Sequence, residues 1–271
     1  MPMCLLTFAY QTNKRFPFVF AANRDEYYDR PTLFAHEWKE DPNVIGGRDL
    51  KKGGTWLGFT KEGKIAALTN VRDSFKHSGI PFQSRGFIVQ DYLTSNTSAQ
   101  LFMERLIQTA DEFDGYNLVF GSYHDLYYYT NRMEKGEKLK PGYYMLSNGQ
   151  MNSHWPKAVK VRTHLQSVLE REQDIETIIK KLLAIMQDEE RFPDEQLPDT
   201  GVGIEWERIL SPIFINGKTY GTRATTVIIC TDEGESFFLE WNYGPMGIFL
   251  EKREFHIQLP SSYLNMKKDY E

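Results

Sequence analysis

The sequence predicts an α+β protein in which two antiparallel sheets are stacked and helices cover the outer face of each sheet. Hairpin patterns dominate both ends of the chain, which indicates antiparallel pairing. Helical periodicity is confined to internal stretches, and the regular strand–helix alternation of a parallel doubly wound fold does not occur. A helix with one apolar face needs a sheet face to cover. We therefore expect a four-layer αββα sandwich.

The first quarter of the chain indicates strands. Residues 5–10 and 17–22 are apolar runs joined by a polar turn, and they predict a hairpin. Residues 55–60 and 64–70 predict a second hairpin around Lys61-Glu62-Gly63. Because each run is short and followed by turn residues, these stretches belong to sheets.

The rest of the chain alternates between helical and strand character. A helical pattern covers residues 97–110, where Thr97 and Gln100 fit a capping box. Residues 157–186 predict two helices, the second starting near Asp174. The remaining predicted strands lie in 116–130, 143–147, 222–231, 236–241 and 253–259. No linker or internal repeat divides the chain, so we expect a single domain over residues 1–271.

Composition limits the classes of function. The chain has 271 residues, of which 41% are hydrophobic, and a net charge of −5. That charge argues against nucleic acid as a partner. The apolar run near the N-terminus is too short for a membrane span and lacks the basic segment of a signal peptide. Two cysteines, Cys4 and Cys230, indicate reduced thiols and a cytoplasmic protein. No metal-binding or cofactor motif is present, so we predict neither.

Polar residues stand at the ends of several predicted apolar strands. Each has a structural explanation on its own, as a turn residue or an ion pair, and a strand cysteine is usually a small buried side chain. Together they can converge at one rim of a sheet. These residues are Asn23, Arg24, Asp25, Asn70, Arg72, Asn148 and Arg223.

The combination resembles a known family. Asn23-Arg24-Asp25-Glu26 is the signature of the NRDE family, also called the transport and Golgi organisation protein 2 family. Cys4 near the terminus and the stretches Gly53-Gly54-Thr55-Trp56-Leu57-Gly58 and Leu68-Thr69-Asn70-Val71-Arg72 also look like that family. The resemblance covers nearly the whole chain. That family is similar to the N-terminal-nucleophile hydrolases, whose fold is an αββα sandwich.

The resemblance to cholylglycine and penicillin V amidases implies a role for each matching residue. Cys4 would be the nucleophile, Asp25 would hold its amine, and Asn70 would donate to the oxyanion. Asn148 would position the substrate or the amine, and Arg223 would lower the pKa of the thiol. Asn23, Arg24, Thr55, Trp56 and Arg72 would contact the substrate.

Two departures from those amidases matter. Their motif has an Arg where this chain has Ala22, so Arg24 falls at the variable position of the motif. In addition, Cys4 follows Met1, Pro2 and Met3, and only a free α-amine at Cys4 could act as the base for its own thiol. Met3-Cys4 looks like the usual start of the family, so a start at Met1 and a start at Met3 are both consistent with the sequence.

Two functions are consistent with these observations. The first is a cysteine N-terminal-nucleophile hydrolase that cleaves amide or thioester bonds of small acyl compounds. The alternative is a non-enzymatic carrier of haem, lipid or acyl-CoA on the same scaffold, with the aromatic residues lining its pocket. Catalytic turnover by Cys4 distinguishes the two.

Overall fold

The computed structural model describes residues 3–71, 82–133 and 135–260. Its strands are buried along nearly their whole length where they lie in the middle of a sheet, as at 18–27 and 220–230. In chain order they are β1 (Met3–Tyr10), β2 (Phe18–Tyr27), β3 (Thr32–Glu37), β4 (Val44–Asp49), β5 (Leu57–Thr60), β6 (Lys64–Asn70), β7 (Tyr116–Ser122), β8 (Leu126–Thr130), β9 (Lys135–Lys138), β10 (Gly142–Leu146), β11 (Tyr220–Cys230), β12 (Glu235–Tyr243) and β13 (Phe249–Gln258).

These strands form two sheets, in which neighbouring strands of the described residues pair antiparallel. The six-stranded sheet has the order β10-β1-β2-β11-β12-β13, and the seven-stranded sheet has the order β3-β4-β5-β6-β7-β8-β9. The seven-stranded sheet is a simple meander. In the six-stranded sheet, β1 and β2 are joined to strands that come much later in the chain. The ends of β1 and β2 are therefore fixed by long-range pairing.

Helices lie on the outer face of each sheet. The helices of the described residues are α1 (Gly86–Thr94), α2 (Ala99–Gln108), α3 (Pro156–Arg171), α4 (Ile175–Met186) and α5 (Ile204–Leu210). Helices α3 and α4 pack on β1, β2, β10 and β11, whereas α1 and α2 pack on strands of the seven-stranded sheet. The apolar core between the sheets includes Phe8, Phe20, Phe59 and Val119. The predicted four-layer αββα sandwich is confirmed.

The helix starts differ slightly from the prediction. Asp174 caps α4, and its carboxylate accepts from the Thr177 amide at 2.8 Å, as the sequence predicts. In α2 the capping residue is Ser98 rather than Thr97, and its hydroxyl accepts from the Leu101 amide at 3.3 Å. Both Thr97 and Ser98 have a hydroxyl that can cap a helix. Which of them becomes the N-cap depends on the residue at which the preceding loop ends.

Strand β2 is longer than predicted. The apolar pattern places its end at Ala22, but the strand continues to Tyr27, and Asn23, Arg24 and Asp25 are buried within it. Pairing with β1 on one side and β11 on the other satisfies the backbone there. The signature motif is therefore part of a central strand and not of a loop at its end.

Candidate active site

Strands β1 and β2 bring Cys4 and Arg24 together. The two residues are directly opposite in the register, and successive side chains of a strand point to opposite faces of the sheet. Cys4 shares its face with Leu6 and Phe8, which contact the seven-stranded sheet. Cys4 and Arg24 therefore face the space between the sheets, whereas the neighbouring Asp25 faces the helices.

A cavity of about 320 Å³ opens at this end of the sandwich. Cys4 and Arg24 line it from the six-stranded sheet, and Asn70 lines it from the end of β6. The segment Gly54-Thr55-Trp56 and the start of α1 complete its wall. A volume of this size suits a small molecule.

The Cys4 thiol is half-buried, and its surroundings disfavour the thiolate. Burial raises the pKa of Cys4 to about 12, and the Asp25 and Glu26 carboxylates contribute in the same direction. The Arg24 guanidinium and the Asp25 backbone amide act in the opposite direction. Because Met3 precedes it in β1, the nitrogen of Cys4 is a peptide amide and not an amine.

Asp25 lies on the helix-facing side of the sheet. It is 1% exposed, and its Oδ1 accepts a hydrogen bond from the Thr222 hydroxyl at 2.6 Å. Burial raises the pKa of Asp25 to about 6, and the buried Lys157 of α3 opposes that shift. In the register Asp25 pairs with Met3, so its backbone lies beside the position that a free Cys4 amine would occupy.

Asn23 also faces the helices and connects three parts of the chain. Its Nδ2 donates to the carbonyl oxygens of Met186 at 2.7 Å and Ile213 at 2.9 Å. Its Oδ1 accepts from the Thr225 hydroxyl at 2.7 Å. The predicted contact of Asn23 with a substrate stays a prediction, and the structure gives this side chain partners within the protein.

Arg24 occupies the cavity face. Its guanidinium carbon lies 4.2 Å from the centroid of the Trp56 ring, which is a cation–π distance. Its Nη2 is 4.0 Å from Oε2 of Glu26. Trp56 and Arg24 thus lie against each other at the cavity, and their predicted contact with a substrate stays a prediction.

Asn70 and Asn148 meet where β6 and β10 end. The Nδ2 of Asn148 donates to the Asn70 carbonyl oxygen at 2.8 Å, and Asn148 is buried. Beside them the Thr69 hydroxyl donates to the Ser147 carbonyl oxygen at 2.7 Å. These bonds tie the two sheets together and hold Asn70 at the cavity.

The Gly53-Gly54-Thr55 stretch allows a close approach of two backbones. A Cβ on Gly54 would lie 2.4 Å from the carbonyl carbon of Gly86, so only glycine fits there. The Thr55 amide donates to the Gly86 carbonyl oxygen at 3.1 Å, and its hydroxyl donates to the Gly47 carbonyl oxygen at 2.7 Å. Thr55 therefore joins the start of α1 to the cavity wall.

The structure places Arg223 farther from the thiol than Arg24. Arg223 occupies a bulge of β11, and its Nη1 donates to the carbonyl oxygens of Tyr27, at 3.1 Å, and Arg30. Among the described residues, those that line the cavity do not include Arg223 or Asn148. Arg72, predicted to contact the substrate, lies outside the described residues.

Several charged residues of the cavity have no clear signal in the sequence. The Nε of Arg30 donates to Oδ1 of Asp49 at 3.1 Å. The same Nε lies 3.5 Å from Oε2 of Glu26. Arg85 reaches the cavity from the start of α1. Glu26 is part of the signature motif, and this is the signal in the sequence that points to its place in the cavity. Asp49 and Arg85 become neighbours of Cys4 only through the tertiary structure.

Within residues 3–71, 82–133 and 135–260, no group of three His, Cys, Asp or Glu side chains is placed to hold a metal ion. In the same residues no helix has the length and apolar character needed to cross a membrane.

The fold and the site define a four-layer αββα protein with a cysteine at the cavity between its sheets. The family model for Transport and Golgi organisation 2 matches residues 3–245. The chain therefore belongs to that family, and the prediction made from the signature motif is confirmed.

Curated relatives agree with this assignment. The chain is 30% identical over 259 residues to the Transport and Golgi organization protein 2 homolog of Homo sapiens and 29% identical over 260 residues to that of Bos taurus. Each match covers 88% of this chain and 92% of the relative. The Drosophila melanogaster protein is 27% identical over 267 residues.

Two solved structures are similar to this one at 10% sequence identity and a TM-score of 0.46. One is the Caenorhabditis elegans ortholog of N-acylethanolamine-hydrolyzing acid amidase, with 83% of this chain and 92% of that chain covered. The other is a mutant conjugated bile acid hydrolase from Clostridium perfringens, with 93% and 92% covered.

Proposed function

We propose that this protein is a cysteine hydrolase of the N-terminal-nucleophile type, acting on amide or thioester bonds of small acyl compounds. The observation that carries the proposal is the half-buried Cys4 thiol on the wall of a cavity that Asn70 and Arg24 also line. A thiol that only filled core space would need neither an opening nor polar neighbours.

The proposed chemistry needs the α-amine of Cys4. With residues 1–3 removed, that amine would titrate near about 8 and could accept the thiol proton. The sulfur would attack the substrate carbonyl carbon and form a thioester, while the amine or thiol leaving group takes the proton. Water would then cleave the thioester, releasing the acid and the free Cys4 thiol.

The surrounding residues have distinct roles in this proposal. Asn70 would donate to the developing oxyanion, a contribution of about 3 kcal/mol in comparable acyl-transfer sites. Asn148 would position Asn70 through its bond to the Asn70 carbonyl. The backbone of Asp25 lies next to the future amine. We assign to Arg24 the stabilisation of the thiolate that the resemblance implies for Arg223.

A specific observation favours the carrier as the second candidate. With Met3 in place Cys4 has no amine, and a thiol with a pKa of about 12 is neutral at pH 7. In that form the cavity could bind haem or an acyl compound without reacting with it. Saturable binding of haem or acyl-CoA by Cys4→Ala, without turnover by any form of the protein, would support this function.

The experiment compares three proteins on a panel of acyl amides and acyl thioesters. They are a form that begins at Cys4, the same form with Cys4→Ser, and the chain that retains Met1, Pro2 and Met3. We expect turnover only from the first. Cys230→Ser in the trimmed form is the matched control, because Cys230 is fully buried and far along β11. Equal turnover by the Cys4→Ser form would exclude Cys4 as nucleophile.

A further inference from the structure

The guanidinium of Arg24 has a hydrogen-bond donor without an acceptor. Its side chain is 7% exposed, and among the described residues its Nη1 has no hydrogen-bond partner. Its Nη2 lies 4.0 Å from Oε2 of Glu26, beyond hydrogen-bond length. An unpaired buried donor on a charged group is costly. A charged donor placed in this way can bind an anionic acceptor.

A second guanidinium lies on the opposite wall. Arg85 lines the same cavity, and its charge and that of Arg24 both interact with the Cys4 thiolate. The Nη1 of Arg85 donates to the Gly115 carbonyl oxygen at 2.7 Å, which fixes the direction of the side chain. Two cationic groups from different layers of the sandwich therefore line the same cavity as the thiol.

Helix α1 adds a partial positive charge at the same place. It begins at Gly86, which lines the cavity, and Arg85 occupies its N-cap position without a side-chain capping bond. Its first turn contains no acidic residue. The Phe87 and Ile88 amides of this first turn donate to the carbonyl oxygens of Ser84 and Arg85, each at 3.0 Å. The start of α1 therefore contributes the positive end of the helix dipole, which favours a negatively charged ligand.

The carboxylates of the cavity do not neutralise these groups. Asp49 forms a two-point bond with Arg30, and Glu26 lies 3.5 Å from the same guanidinium. Asp114, which is 3.7 Å from Arg85, bonds more closely to Arg132 at 3.0 Å. Glu26 also forms a long ion pair with Nη2 of Arg24 at 4.0 Å, but the closest carboxylate contacts in the cavity are to other arginines, and Nη1 of Arg24 has no hydrogen-bond partner among the described residues.

We propose that Arg24, Arg85 and the N-terminus of α1 form an anion subsite beside Cys4, and that the ligand is an acyl compound bearing a second group, carboxylate or phosphate, with a negative charge. The acyl part of this statement rests on the proposed hydrolase function. The anion subsite itself does not, because it depends only on the charges that surround the thiol.

The test measures charge preference at Cys4 without requiring turnover. Iodoacetate and iodoacetamide have nearly the same shape, and each alkylates a thiol with loss of iodide and of the thiol proton. The full chain is treated with each reagent, and the Cys4 rate is followed by peptide mass. The quantity of interest is the ratio of the iodoacetate rate to the iodoacetamide rate, relative to that ratio for free cysteine.

We expect the relative ratio to be about fivefold or more in the unmodified chain, since a nearby opposite charge is worth about 1 kcal/mol or more. Arg24→Gln and Arg85→Gln should each lower the ratio, and the double variant should return it to that of free cysteine. Arg171→Gln on the exposed end of α3 is the matched control and should leave it unchanged. A ratio equal to that of free cysteine in the unmodified chain would overturn the proposal.

Protection experiments identify the anion. Glutarate and inorganic phosphate are each tested for slowing the alkylation of Cys4 by the neutral iodoacetamide. Protection by glutarate alone assigns a carboxylate ligand, and stronger protection by phosphate assigns a phosphate ligand. Protection by neither contradicts the subsite. If the subsite is supported while no amide or thioester is cleaved, the hydrolase proposal fails and the anion subsite stands.

Discussion

The two faces of strand β2 differ in what their polar residues contact. On the helix face, Asn23 and Asp25 are hydrogen-bonded to other parts of the chain. On the cavity face, Arg24 and Glu26 line the space beside Cys4. The four-residue motif therefore contributes two residues to each face of the sheet, because successive side chains of a strand point to opposite faces. The helix face supports the structure, and the cavity face holds groups that can meet a ligand.

The largest expected effect on stability is that of Asn23→Ala. The change leaves two buried carbonyl oxygens and the Thr225 hydroxyl without their partner, at a cost of about 3–5 kcal/mol in the free energy of unfolding. Urea unfolding measures it. Asn216→Ala, at an exposed asparagine that bonds to Glu189, is the control and should change stability by about 0.5 kcal/mol or less. Equal losses in both variants would contradict a structural role for the helix face.

The next effect is on the pH dependence of stability. In the folded chain burial raises the pKa of Asp25 from 3.8 to about 6, so the folded state holds this proton more tightly than the unfolded state. This group alone therefore makes the free energy of unfolding fall as pH rises from about 4 to about 6. The total fall in the free energy of unfolding over this pH range is about 3 kcal/mol.

Asp25→Asn removes that titration. Relative to the unmodified chain, the variant should gain about 3 kcal/mol in the free energy of unfolding between pH 4 and pH 7. The measurement is urea unfolding of both proteins at several pH values. Because the comparison is a difference, groups common to both proteins cancel. A difference that stays constant with pH would show that Asp25 has no raised pKa.

On the cavity face we expect a smaller effect on stability and a clear effect on reactivity. Arg24→Met keeps an apolar contact with Trp56, and the Glu26 carboxylate keeps its ion pair with Arg30. The free energy of unfolding should therefore change by only about 1 kcal/mol. The thiol loses the nearest charge that lowers its pKa. Alkylation of Cys4 by iodoacetamide at pH 9 should slow about tenfold. A large loss of stability without a change in rate would reverse the assignment of the two faces.

The smallest effect expected is that of Arg223→Gln on the same alkylation rate. The guanidinium of Arg223 is directed to the carbonyl oxygens of Tyr27 and Arg30, and Arg24 lies closer to the thiol in the register. We expect the rate to stay within about twofold of the unmodified chain. A slowing as large as that of Arg24→Met would give Arg223 the role that the family resemblance implies.

The sequence alone was enough to determine the four layers, because hairpin spacing and the helical period depend on local residue patterns. The hairpin of β1 and β2, the pair α3 and α4, and the Asp174 cap were all predictable in this way. The motif that contains Arg24, together with Cys4, was enough to indicate the family. These features need only short-range information.

Only the tertiary structure decided which polar residues meet the thiol. The apolar pattern ends at Ala22, so nothing local shows that β2 continues to Tyr27, and pairing with the distant β11 is what extends it. That extension puts Arg24 and Asp25 on opposite faces. Arg85 joins the cavity because Gly54 lets the start of α1 approach the wall. Long-range pairing and close backbone packing thus select the members of the site.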